Sequence, residues 1–104
     1  MSQLQVIARY TAAAGEDDEV ADLVIQLAAA SRTEPGNIDF TAYRQLDDAR
    51  RFVLLERYAS RDALDAHRDT PHFTDLVLGR LVPRLDSRVV ETYDVPDDQN
   101  EARS

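Results

Sequence analysis

The sequence predicts a single α+β domain whose strands and helices follow in the order β-α-β-β-α-β. Three observations carry that prediction. Four segments alternate apolar and polar residues with the period of two that a half-buried strand requires. Stretches between them carry apolar stripes at the three-and-four spacing of a helix packed on a core. The middle two strand patterns are separated by a short polar loop only, which makes them a hairpin.

The first strand reads from Leu4 to Tyr10, with Val6, Ala8 and Tyr10 on one face and Gln5, Ile7 and Arg9 on the other. Ala12–Gly15 leads out of it. Glu16, Asp17, Asp18 and Glu19 then crowd a helix N-terminus, where negative charge complements the helix dipole. Val20, Leu23, Val24, Leu27 and Ala28 form the stripe of that helix, which is expected to end near Ser31, before the Pro35-Gly36 turn.

Ile38–Gln45 alternates again, Ile38, Phe40 and Ala42 against Asp39, Thr41 and Tyr43. Asp47–Arg50 is the hairpin loop. Arg51–Tyr58 follows, with Phe52, Leu54, Glu56 and Tyr58 on one face and Val53, Leu55 and Arg57 on the other. Ser60 is a good N-cap for a short helix, Arg61–Arg68, in which Leu64 and His67 share a side. Thr70 and Pro71 suit the cap and first position of a further helix. Its stripe is Phe73, Leu76, Val77 and Leu81, and Pro83 ends it. Ser87–Val95 is the last strand. The domain is expected to span residues 1–95, and 96–104 to be a polar, disordered tail.

This order implies a ferredoxin-like antiparallel sheet with helices on one face. The uncovered face carries Ile7, Val53 and Leu55. An apolar sheet face needs a partner, and the economical one is a second copy of the chain, sheet against sheet, as a homodimer.

Composition narrows the function. The absence of cysteine excludes thiolate nucleophiles, disulfides and iron–sulfur clusters. All twelve basic residues are arginine, so lysine chemistry is excluded as well. A net charge of −8 argues against a nucleic-acid partner. No signal-like segment and no long apolar run stands in the chain, so a cytoplasmic protein without a membrane partner is expected.

Ser31-Arg32-Thr33-Glu34-Pro35-Gly36, Phe52-Val53-Leu54-Leu55-Glu56-Arg57-Tyr58, Ala63-Leu64-Asp65-Ala66-His67 and Thr70-Pro71-His72-Phe73 follow one another along the chain. In that order and spacing they resemble the antibiotic-biosynthesis-monooxygenase family, from about Leu4 to Val95. The resemblance implies a dimeric α/β barrel. It also implies one of several activities: oxidation of polycyclic phenols or quinols by O2 without metal or flavin, haem degradation, or isomerisation of a sugar phosphate derivative. The haem-degrading members are similar to one another in an Asn on the first strand, a Trp on the third and a His on the late helix. Those positions here hold Ala8, Tyr58 and Val77, and the chain has no Trp, so haem degradation is not expected.

His67 is the first candidate base, since an imidazole titrates near neutrality. Alternatively it packs on the third strand, bonded to Glu56 or to a backbone carbonyl. Glu56 stands among apolar neighbours, as a pocket acid or base, as the residue that orients His67, or as the partner of Arg44 or Arg9. His72 opens a helix and is a candidate substrate contact or a surface residue. Tyr58, Tyr43, Phe40 and Phe73 could line a pocket for a flat ring, or simply pack the core. His67 and His72 do not share a regular helical face and no third ligand is evident, so no metal site and no cofactor are expected. The expected activity is a cofactor-independent monooxygenase acting on a hydroxylated aromatic or quinol. The alternatives are a proton-transfer enzyme or isomerase on a small carbonyl compound, and a non-enzymatic dimeric domain that binds a small molecule.

Overall fold

The structure, a computed structural model, describes residues 2–96. Strand β1 (Gln3–Ala12) leads into helix α1 (Asp17–Ser31), then β2 (Asn37–Arg44), β3 (Arg51–Tyr58), α2 (Arg61–Arg68), α3 (Phe73–Leu81) and β4 (Leu85–Val95). The sheet order is β2-β3-β1-β4 with every neighbouring pair antiparallel. The chain is therefore α+β and ferredoxin-like, its helices on one face of a four-stranded sheet. Among the described residues no helix is long and apolar enough to cross a membrane.

Strand alternation decides which residues enter the core. Leu4, Val6, Ala8, Tyr10 and Ala12 of β1 are buried, as are Phe52, Leu54, Glu56 and Tyr58 of β3. The stripes of α1 (Val20, Leu23, Val24, Leu27) and α3 (Leu76, Val77, Leu81) close over them. A smaller cluster of Leu4, Val6, Tyr58 and Leu64 joins α2 to the sheet. On the open face, β-pairing lines up Thr41, Leu55, Ile7 and Glu91 across the four strands, with Tyr43, Val53, Arg9 and Val89 in the next row.

Local chemistry sets the helix ends. The Ser60 hydroxyl accepts from the Ala63 N–H at 3.1 Å and caps α2. The Thr70 hydroxyl accepts from the Phe73 N–H at 3.1 Å, with Pro71 in the first turn. From Phe73 onward the helix is π-wound, followed by a 3₁₀ turn at Val82–Arg84. Asp17, Asp18 and Glu19 occupy the first turn of α1, and Arg44 pairs with Asp17 at 2.8 Å.

Two expectations are corrected. Ile38 does not join Phe40 inside: the β2–β3 register shifts between Asn37 and Asp39, and Ile38 is exposed. Strand β4 begins at Leu85 rather than Ser87, because it follows directly on the 3₁₀ turn. Apart from Pro96, the segment 96–104 expected to be disordered lies outside the described residues.

Gly36 positions the turn before β2. A Cβ there would sit 2.4 Å from Ala63 Cβ of α2, so only glycine lets the two segments meet. The Ala59 N–H donating to the Gly36 carbonyl at 2.9 Å holds the approach. Two residues upstream in the same turn stands Glu34.

Candidate functional site

The site forms where this turn, the end of α2 and the start of α3 meet the helix-facing side of β3. His67, in the last turn of α2, is buried against Tyr58 and Phe73, with ring centroids 5.1 and 5.3 Å away. Its Nδ1 lies 2.8 Å from Glu34 Oε2. His72 Nε2 lies 2.5 Å from the same oxygen. An ionised carboxylate only accepts, so the Glu34 contact fixes His67 as the Nδ1–H tautomer and leaves the Nε2 lone pair free.

That nitrogen faces Glu56, 3.9 Å from Oε1 and beyond direct hydrogen-bonding distance. His67 and Glu56 both line the adjoining cavity. Glu56 Oε1 accepts from the Tyr58 hydroxyl at 2.6 Å. The result is a line of polar groups, His72, Glu34, His67, Glu56 and Tyr58, running through an otherwise apolar layer.

Burial governs their protonation. It pushes the Glu56 carboxyl up to about 7, against the Tyr58 hydrogen bond and the positive charges of Arg68 and Arg88. It lowers the His67 pKa, with the Glu34 carboxylate opposing, so the imidazole is neutral at pH 7. The Tyr58 hydroxyl is pushed upward by burial and by Glu56, and stays a donor.

The cavity beside His67 and Glu56 is about 20 Å³, room for about one water molecule. Ala8, Phe73 and Val77 supply apolar wall, and Arg68 and Arg88 supply charge. Arg68 ends α2 and Arg88 lies on β4 opposite Tyr10, and both are exposed.

The structure brings His67, Glu56, Tyr58 and Phe73 together, with the Phe40 ring 6.3 Å from His67. It brings in His72 through Glu34 rather than through the cavity. It does not bring in Tyr43, which is 54% exposed on the sheet's uncovered side and borders a groove with Ile25. Neither Arg44 nor Arg9 pairs with Glu56: Arg44 binds Asp17, and Arg9 binds Glu91 on the open face. His67 takes Glu34 as its hydrogen-bond partner instead of Glu56 or a carbonyl. Glu34, Arg68 and Arg88 are the site residues that sequence reasoning missed. For Glu34 the signal was the Gly at 36, which marks a close approach without saying to what. Glu34, His67 and His72 are also the described residues able to share a metal ion, their ligand atoms all within 4.8 Å of one another.

A family model described as antibiotic biosynthesis monooxygenase matches residues 4–77. Rv0793 of Mycobacterium tuberculosis, whose name proposes a monooxygenase, is 35% identical over 85 residues, 80% of this chain and 83% of its own length. The solved structure of Rv0793 superposes with a TM-score of 0.84 at 29% identity, covering 92% of this chain and 97% of that one. PA3566 of Pseudomonas aeruginosa superposes at 0.85 with 25% identity, covering 92% and 96%.

Proposed function

Because the chain belongs to the antibiotic biosynthesis monooxygenase family, we propose that it is a monooxygenase that oxidises a hydroxylated aromatic or quinol with O2, using its own side chains and no cofactor. The observation that carries this reading is the His67 imidazole, held by Glu34 through Nδ1 with Nε2 turned toward Glu56 and the cavity. A base so fixed and shielded from water suits the first step. The substrate hydroxyl gives its proton to Nε2. The electron-rich anion then passes one electron to O2, and the two radicals combine at carbon. Where a ring CH2 becomes C=O, one oxygen atom enters the product and the other leaves as water. The substrate supplies all the electrons, so no external reductant is required.

Glu56 is the second group of this unit. With its carboxyl near pH 7 it can receive the proton that His67 has taken. Phe73, Val77 and Ala8 offer apolar wall to a ring. A cavity of about 20 Å³ is too small for one, so binding requires the walls to part. The π-wound helix α3 is the wall we assign to that movement.

We also propose a homodimer closed by the open sheet face, where Tyr43, Val89 and Tyr93 are half exposed beside Ile7, Val53 and Leu55.

A second reading is favoured by Arg68 and Arg88 at the cavity: an isomerase or proton-transfer enzyme on a small anionic carbonyl compound. The small cavity itself favours the third, a non-enzymatic binding domain. One experiment separates the three. Chelator-treated, flavin-free protein is offered a panel of quinols, anthrones and phosphorylated ketoses in air and under nitrogen. The monooxygenase reading predicts turnover of an aromatic that consumes O2 and stops under nitrogen. Turnover independent of oxygen supports the isomerase, and no turnover at all supports the binding domain.

A further inference from the structure

We propose that Glu34, His67 and His72 form a binding site for one divalent transition-metal cation. The site goes beyond the activity proposed above and does not depend on it. Two stretches distant in sequence deliver the donors: the turn before β2 brings Glu34, and the short passage from α2 into α3 brings His67 and His72. The donors are two imidazole nitrogens and a carboxylate oxygen, a set suited to zinc and its neighbours. Glu34 Oε2 lies 2.8 Å from His67 Nδ1 and 2.5 Å from His72 Nε2, with all ligand atoms within 4.8 Å of one another. An ion at about 2.0–2.2 Å from each donor holds them roughly 3–3.5 Å apart. Small side-chain shifts therefore open the triangle.

Two further features point the same way. The Glu34 side chain is only 10% exposed, yet among the described residues its ion-pair partners are the two histidines and no arginine. A carboxylate so buried, with no arginine paired to it among the described residues, attracts a cation. The second feature is Glu56. A metal-bound histidine ordinarily turns its other ring N–H to a carboxylate, which fixes the ring and strengthens the ligand. With the ion on Nδ1, the proton of His67 sits on Nε2, which faces Glu56 from 3.9 Å. His72 is the most exposed of the three, its side chain 23% accessible, and marks the side from which an ion and its remaining water ligands enter.

Occupancy has a consequence for the base. With the metal on Nδ1 and the proton on Nε2, His67 has no lone pair for a substrate. The cation would act as a brake on acid–base chemistry at the site.

The test uses untagged, chelator-dialysed protein titrated with Zn²⁺ in a calorimeter, with the imidazole resonances followed by NMR. The chain has two histidines, and both belong to the site, so the spectrum reports on it alone. The expected result is saturation at one ion per chain with both histidines shifting. Substituting His72→Ala or Glu34→Gln should weaken binding about tenfold or more. His72→Ala removes a partly exposed side chain, and its fold is checked by circular dichroism. Saturable uptake that leaves both histidine signals in place would put the ion elsewhere on the chain and overturn the proposal. So would the absence of saturable uptake, or binding undiminished in a folded His72→Ala protein.

Discussion

Glu56 shows how one side chain couples stability to chemistry. Its carboxyl titrates near 7 in the folded protein, against an ordinary value of 4.5. A folded pKa raised above the unfolded one contributes stability below about pH 4.5, and that contribution is lost as pH rises through about 7. The difference is up to about 3 kcal/mol across that window, by order of magnitude. Urea denaturation at pH 5 and pH 8 should therefore show the wild type losing stability that Glu56→Gln retains. Parallel curves for the two proteins would mean that Glu56 does not titrate in this range. Glu56 was legible in the sequence, because a carboxylate in the stripe Phe52, Leu54, Tyr58 breaks the pattern of its own strand. Glu34 was not. Its partner His67 is thirty-three positions away, and no local periodicity reports a contact of that range.

At the scale of elements, the turn at residues 34–36 and helix α2 form one device. Gly36 admits Ala63, and that approach puts the Glu34 carboxylate against His67. Gly36→Ala drives a methyl group into Ala63 Cβ and should cost about 1–3 kcal/mol. It should also loosen the Glu34–His67 contact, read as faster solvent exchange of the His67 ring proton by NMR. Unchanged stability and exchange would contradict this account of the turn. The Ser60 cap is a smaller contributor, and Ser60→Ala should lower stability by about 1 kcal/mol in the same denaturation assay. Strand alternation, the hairpin and both N-caps were readable because each rests on neighbours in sequence. The π-winding of α3 was not. Phe73, Val77 and Leu81 recur every four residues, a spacing that suits an α-helical stripe as well as the wider turn.

For the whole molecule, the uncovered sheet face is where the proposed homodimer closes. Sequence alternation placed Ile7, Val53 and Leu55 there, and strand register sets Ile7 directly opposite Leu55. The proposed dimer predicts that Leu55→Arg yields a folded monomer in light scattering at micromolar concentration where the wild type is a pair. A wild type that scatters as a monomer would remove the dimer. Tyr43 stands apart from the His67 cavity and lines a separate groove, a separation that strand alternation, which gives two faces only, does not reveal. The path of the helices over β3 decides which face they cover. The proposed role of His67, a base held by Glu34, is tested most directly by oxygen uptake in chelator-treated, flavin-free protein with a quinol or anthrone substrate. The prediction is uptake in the wild type that falls about 10²–10⁴-fold in His67→Ala at matched substrate saturation. Uptake undiminished in a folded His67→Ala protein would contradict it.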